Sequence, residues 1–220
     1  MAMSFSWYQW MAILALGICL AILALHFIRL VRKGKPKDLS RQAGNTTNGI
    51  IFAFTGAMSP TRKESAYLHL PTYTAGLIYH MGTFLSFFLF FFFLAGWFPQ
   101  GWLAYGIITF LVISAFNGLA IFIKRIIKKE LRFLSNPDDF VSNFLVTAFQ
   151  ISTIFFLLSP IVLQSYSPIF ELIYFLSFTL LMLYVPAGKL RHLVYFFAAR
   201  YHLGYFYGWR GVWPPKNVKM

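Results

Sequence analysis

Polar residues along this chain fall into a few short clusters. Between them lie five long apolar stretches, over about 7–28, 72–94, 102–123, 140–163 and 168–186. Each is close to the ~20 residues that a helix needs to cross the hydrocarbon of a bilayer. In that medium a helix satisfies every backbone group within its own segment. The pattern therefore predicts an all-α integral membrane protein, a five-transmembrane-helix bundle forming one membrane domain over 1–220. The first stretch is too long for the core of a signal peptide, and the basic residues from Arg29 onward read as a stop-transfer signal. Trp7, Tyr8 and Trp10 suit an interfacial aromatic belt at its start. Pro186 and Gly188 predict a kink in the fifth stretch, before a helical extension to about 200.

Composition agrees with this class: 59% of residues are apolar, 20% aromatic and 11% charged, against roughly a quarter charged in soluble domains. The net charge of +13 changes meaning once its placement is considered. Eight cations follow the first stretch, five lie between the third and fourth, and six follow the fifth. The tail before the first stretch and the loops at 98–102 and 164–168 have none. By the positive-inside rule the N-terminus is outside and the C-terminus cytoplasmic. The basicity is topology rather than a nucleic-acid surface. The single cysteine, Cys19, lies in an apolar stretch and excludes an intrachain disulfide and an all-cysteine iron–sulfur site.

The cytoplasmic loop over 31–70 contains an apolar segment at 49–58, too short to span and expected at the interface or against a partner. Ser59 and Pro60 predict the start of a short surface helix that ends before Pro71. Asn136, Pro137, Asp138 and Asp139 predict a turn and an N-terminal cap for the fourth span. The phenylalanine-rich run at 84–93 reads as lipid-facing bulk.

The candidate chemistry lies in the histidines. His80 is about eight residues inside the second span, roughly 12 Å by the helical rise, and an ionisable group at that depth is expensive unless something uses it. A b-type haem takes two neutral imidazoles from different helices at one depth. The second and fifth spans run antiparallel, so His80 and His192 are the candidate iron ligands, with Lys189 and Arg191 placed to pair with the propionates. The plainer reading of His80 is a buried histidine bonded to a backbone carbonyl. His69 and His202 form a second possible haem pair nearer the cytoplasm, although Pro71 interrupts the helix between His69 and His80. Alternatively they are interfacial residues, with His69 near a quinone head group. His26, at the inner end of the first span, is a boundary residue or a second quinone candidate. Glu171, at the start of the fifth span, reads as a helix-start carboxylate or a proton acceptor. No Gly-rich phosphate loop, HExxH pattern or GxSxG elbow occurs.

HLPTYTAGLIYHMGTF in the second span and VPAGKLRHLVYFF after the fifth resemble the gamma, or cytochrome b, subunit of respiratory nitrate reductase. They are still more similar to the membrane cytochrome of heterodisulfide reductase and of the related sulfite-reduction complexes. The resemblance implies that His80 and His192 ligate the haem nearer the cytoplasmic partner. Dihaem members carry further histidines at the places held here by Phe90 and Tyr174, which implies a single haem b on the inner side.

The resemblance further implies electron transfer, in the inner membrane of a prokaryote, between a quinone, menaquinone by preference, and a cytoplasmic iron–sulfur subunit like that of heterodisulfide reductase. The basic inner loops and the 49–58 segment are the expected docking surface. The competing class is a haem-free membrane anchor for a cytoplasmic enzyme.

Overall fold

The computed structural model describes residues 5–34, 38–59 and 69–215. Among these the chain is all-helical. The elements are α1 (Trp7–Arg32), α2 (Thr46–Phe54), α3 (Leu70–Leu94), α4 (Gly101–Ile127), α5 (Lys129–Phe133), α6 (Pro137–Val162), α7 (Pro168–Tyr184) and α8 (His192–Trp209). Single 3-10 turns at Gly56–Met58 and Lys189–Arg191 follow α2 and precede α8. The helix expected from Ser59 and Pro60 falls mostly outside the described residues.

Four helices, α1, α3, α4 and α6, are long and apolar enough to cross a membrane. α7, with 17 residues, is at the lower end of a span's length, and the count reaches five when it is taken with the Lys189–Trp209 segment. This is the architecture of a multi-pass membrane protein. Several helices run past their apolar stretches, α1 to Arg32 and α4 to Ile127. Lys and Arg are good helix formers whose long stems lie along apolar surface, so the hydrogen-bond ladder continues beyond the hydrophobic run. Where Pro186 and Gly188 suggested a kink, the helix ends outright at Tyr184. Pro71 also behaves differently from expectation. As the second residue of α3 it sits where a missing N–H costs nothing, so His69 lies just ahead of α3 and not across a break.

The chain divides into two compact units, Met1–Ala21 with Pro71–Leu190, and Ile22–Leu70 with Arg191–Met220. In the first unit α6 packs against both α4 and α7. Asn136 caps α6 through a capping box: its side chain accepts from the Asp139 N–H, and the Asp139 carboxylate accepts from the Asn136 N–H. Pro137 occupies the first turn, as the sequence pattern indicated. Only part of the 84–93 run is exposed. Phe84, Phe88 and Phe91 are exposed, whereas Phe90 and Phe93 are buried against α6 and α7. Cys19 is buried.

In the second unit α2 packs along α8. The buried side of the 49–58 segment, made by Gly49, Ala53 and Ala57, includes residues that meet α8: a β-carbon on Gly204 would lie 2.5 Å from Ile50 Cα and 3.0 Å from Ala53 Cβ. The segment therefore finds its cover within the same chain. Ala43 and Gly44 donate their N–H groups to the Trp209 carbonyl at 2.9 and 3.1 Å, and Trp209 Nε1 donates to the Ser40 carbonyl at 2.9 Å.

Candidate functional site

His80 stands on α3, in the first unit, with its ring exposed on the helix surface. Its Nδ1 lies 2.7 Å from the carbonyl oxygen of Gly76, one turn back. A carbonyl can only accept, so Nδ1 carries a proton, and in the neutral ring the lone pair is on Nε2. A backbone carbonyl on one ring nitrogen fixes tautomer and orientation in metal-ligating histidines. The bond also matches the plainer reading of this residue, except that the ring is exposed and not buried.

Lys189, expected beside a propionate, donates from Nζ to the Asp139 carboxylate. Arg125 Nη1 reaches the same oxygen at 3.1 Å. Asp139 is nearly inaccessible, with 6% of its side chain exposed, against 52% for Lys189 and 28% for Arg125. One carboxylate thus gathers a cation from the end of α4 and one from beyond α7 at the capped start of α6. Beside it, Tyr184 donates its hydroxyl to Asp138. Glu171, in the first turn of α7, accepts from Gln9 Nε2 at 3.0 Å.

The other histidines belong to the second unit. His192 opens α8 and is exposed, as is Arg191 before it. His26 on α1 and Tyr195 on α8 come together, with Nδ1 3.1 Å from the tyrosine hydroxyl and the rings edge to face. His69 is exposed ahead of α3, and His202 is half-buried on α8 with its ring edge-on to Tyr201. Among the described residues no three histidine, cysteine or acidic groups gather around one point. A haem, which takes two axial ligands, does not require such a cluster.

The structure also contains a polar seam that sequence reasoning missed. Tyr79 Oη bonds to Thr147 Oγ1 at 2.8 Å and donates to the Asn143 carbonyl at 3.1 Å. Gln150 Nε2 donates to Thr83 Oγ1 at 2.8 Å and to the Tyr79 carbonyl at 3.1 Å, while Ser114 Oγ of α4 donates to the Ile78 carbonyl at 3.2 Å. The signal was present as spacing: residues 79, 83 and 86 on α3 and 143, 147 and 150 on α6 both follow i, i+4, i+7, one face of a helix. Interhelical hydrogen bonds of this kind hold apolar helices together.

Positions 90 and 174 lie in a closed aromatic core. Phe90 and Tyr174 are both 0% exposed. Phe90 stacks on Phe178 with centroids 3.7 Å apart, and Tyr174 packs against Phe93, Phe149 and Phe156 at 5.3–5.6 Å. The Tyr174 hydroxyl is buried and has no hydrogen-bond partner among the described residues.

Comparison with protein-family models, with known proteins and with solved structures gives no match. The class rests on the chain itself: an all-helical, multi-pass membrane protein with histidines on α1, α3 and α8.

Proposed function

We propose that this chain is the membrane cytochrome b subunit of a prokaryotic respiratory complex. It lies in the inner membrane with its N-terminus outside and its C-terminus cytoplasmic. It passes electrons between the quinone pool, menaquinone by preference, and a cytoplasmic iron–sulfur subunit similar to that of heterodisulfide reductase. One haem b on the inner side is held by His80 and His192. When bound, it supplies a one-electron carrier between quinone and partner. The observation that carries this reading is the His80 hydrogen bond: Nδ1 meets the Gly76 carbonyl, which turns Nε2 of the neutral ring outward for iron, on a span where an idle imidazole is costly.

A single haem is supported by positions 90 and 174, where the aromatic core occupies the level of a second haem in dihaem members. The topology is supported by the segregation of all nineteen Lys and Arg to helix ends and connecting segments assigned to one side. Arg191 is the exposed cation nearest in sequence to His192 and remains the candidate propionate partner; Lys189 must first leave Asp139. The hydrogen-bonded His26–Tyr195 pair keeps one donor free for a quinone carbonyl, Nε2–H where the tyrosine donates to Nδ1 and the tyrosine O–H where Nδ1–H donates; His69 is the other candidate. Quinone chemistry on the inner side would exchange its protons with the cytoplasm and move little charge across the membrane.

The test is spectroscopic. The purified native complex should show a Soret band that shifts to the red on reduction. That band should vanish in His80→Ala and in His192→Ala while the chain still accumulates in the membrane. A native complex without a Soret band would favour the haem-free anchor instead.

A further inference from the structure

The positive charge of this chain is concentrated in one unit. The second unit carries thirteen of the nineteen Lys and Arg and two of the six acids, a net of +11 against +2 for the first unit. Of its two acids, Asp38 is bonded to Arg210 Nε at 2.9 Å, and Glu64 lies outside the described residues. Arg29, Arg32, Lys33, Arg41 and Arg191 are all exposed.

The same unit is rich in aromatic side chains, and two of its arginines lie over them. Eight of the 18 residues of α8 are Phe, Tyr or Trp. Phe197 and Tyr195 on α8 and Ile51 on α2 are exposed by 54%, 39% and 57%. The Arg210 guanidinium lies 4.5 Å from the centre of the Phe206 ring and that of Arg200 5.7 Å from Phe196. Charge alone would suit any acidic partner. Exposed Phe, Tyr and Ile side chains on the same unit as exposed arginines suit an apolar layer directly under a layer of anions, and a bilayer interface provides that order.

We infer that the second unit is a membrane-surface element that selects anionic lipid. Its exposed arginines and lysines meet headgroup phosphates, and the aromatic faces of α2 and α8 enter the acyl boundary. The selection is independent of the haem reading and holds whether or not the chain binds a cofactor.

Trp209 and Trp213 report on this surface. Trp209 is tied to Ser40 beside Arg41, and Trp213 packs on Phe52 and Tyr207. The full chain is placed in phosphatidylcholine bilayers that contain equal fractions of brominated phosphatidylglycerol or brominated phosphatidylcholine. The contribution of the two tryptophans is the difference between the native chain and Trp209→Phe/Trp213→Phe. At low salt, brominated phosphatidylglycerol should quench this contribution about twofold or more over brominated phosphatidylcholine. The ratio should fall toward one near ~1 M salt, where the Debye length is about 3 Å, and in Arg32→Gln/Lys33→Gln/Arg41→Gln. The remaining tryptophans, Trp7, Trp10, Trp97 and Trp102, should show no such preference. Equal quenching by both lipids overturns the inference. So does the absence of quenching by either, the result for a unit covered by water or an acidic protein. The phosphatidylglycerol retained by the purified native chain, measured against that retained by the triple variant, gives a readout that needs no tryptophan substitution. Retention lost in the triple variant supports the inference, and equal retention overturns it.

Discussion

A β-carbon added to Gly49 would lie 2.5 Å from the Cα of Gly208, so α2 and α8 are in backbone contact where these residues meet. The contact extends along both helices, since a β-carbon on Gly208 would lie 2.8 Å from the Asn45 carbonyl oxygen. No side chain can retreat from such a crossing, and a larger residue must push the helices apart. Gly208→Val is expected to destabilise the second unit by about 1–3 kcal/mol, the range for overpacked sites. It should be read as a lower midpoint in thermal unfolding followed by tryptophan fluorescence. Gly106→Ala, where an added β-carbon meets nothing within 4 Å, should stay within ±0.5 kcal/mol.

Asp139 is the anion on which Arg125 and Lys189 converge. Asp139→Asn leaves two cations beside a neutral group at the start of α6. Removing one partner of a fully buried pair costs about 3–5 kcal/mol, but Lys189 is half exposed, and solvent screening brings the expectation down to about 1–2 kcal/mol. Lys189→Gln should cost under about 0.5 kcal/mol, because Arg125 keeps the carboxylate paired. Chemical unfolding in detergent gives both values. A larger loss for Lys189→Gln than for Asp139→Asn would refute the assignment of Asp139 as the centre of the cluster.

The polar seam should act as glue between α3 and α6. Gln150→Leu removes two interhelical hydrogen bonds, to Thr83 and to the Tyr79 carbonyl, and is expected to cost about 0.6–2 kcal/mol. Tyr79→Phe removes the bonds to Thr147 and Asn143 and should cost a similar amount. The double variant should lose less than the sum, because both residues serve one seam. A double-mutant cycle in unfolding free energy decides between coupled and independent bonds.

Asp38 and Arg210 lie outside the spans. The hydrogen bond from Arg210, aided by the Ser40 N–H, holds the Asp38 carboxyl well below the usual carboxylate range. A depressed carboxyl contributes stability that is present above the unfolded value of about 3.9 and is lost as pH falls through the folded value. The clasp between the 38–45 segment and the end of α8 should therefore persist below about pH 4. Pepsin at that pH should cut Asp38→Asn in this segment faster than the native chain. Equal cutting would show that the ion pair does not hold the segment.

Four of the five expected spans were legible because bilayer thickness sets a length that hydropathy alone reveals, and the Asn136 cap was legible because its residue types act locally. Tertiary partners were not. The spacing of residues 79, 83 and 86 marks a polar face, but nothing in it indicates that the face meets 143, 147 and 150. Glycines 204 and 208 likewise do not name α2 as the helix they admit. Lys189 was placed by its neighbour His192, whereas the carboxylate it meets lies 50 residues earlier in the chain. The phenylalanine run was read as one lipid-facing block because composition conceals the period that turns Phe90 and Phe93 inward. The candidate ligands His80 and His192 came from their placement on two antiparallel spans and from two short motifs. The structure adds the Gly76 carbonyl bond that orients the first of them.

The central claim is one haem b per chain, on His80 and His192. A pyridine haemochrome assay on the purified native complex, set against the amount of this chain in the same sample, tests it most directly. The account predicts one haem b per copy. Two haems, or none, would contradict it.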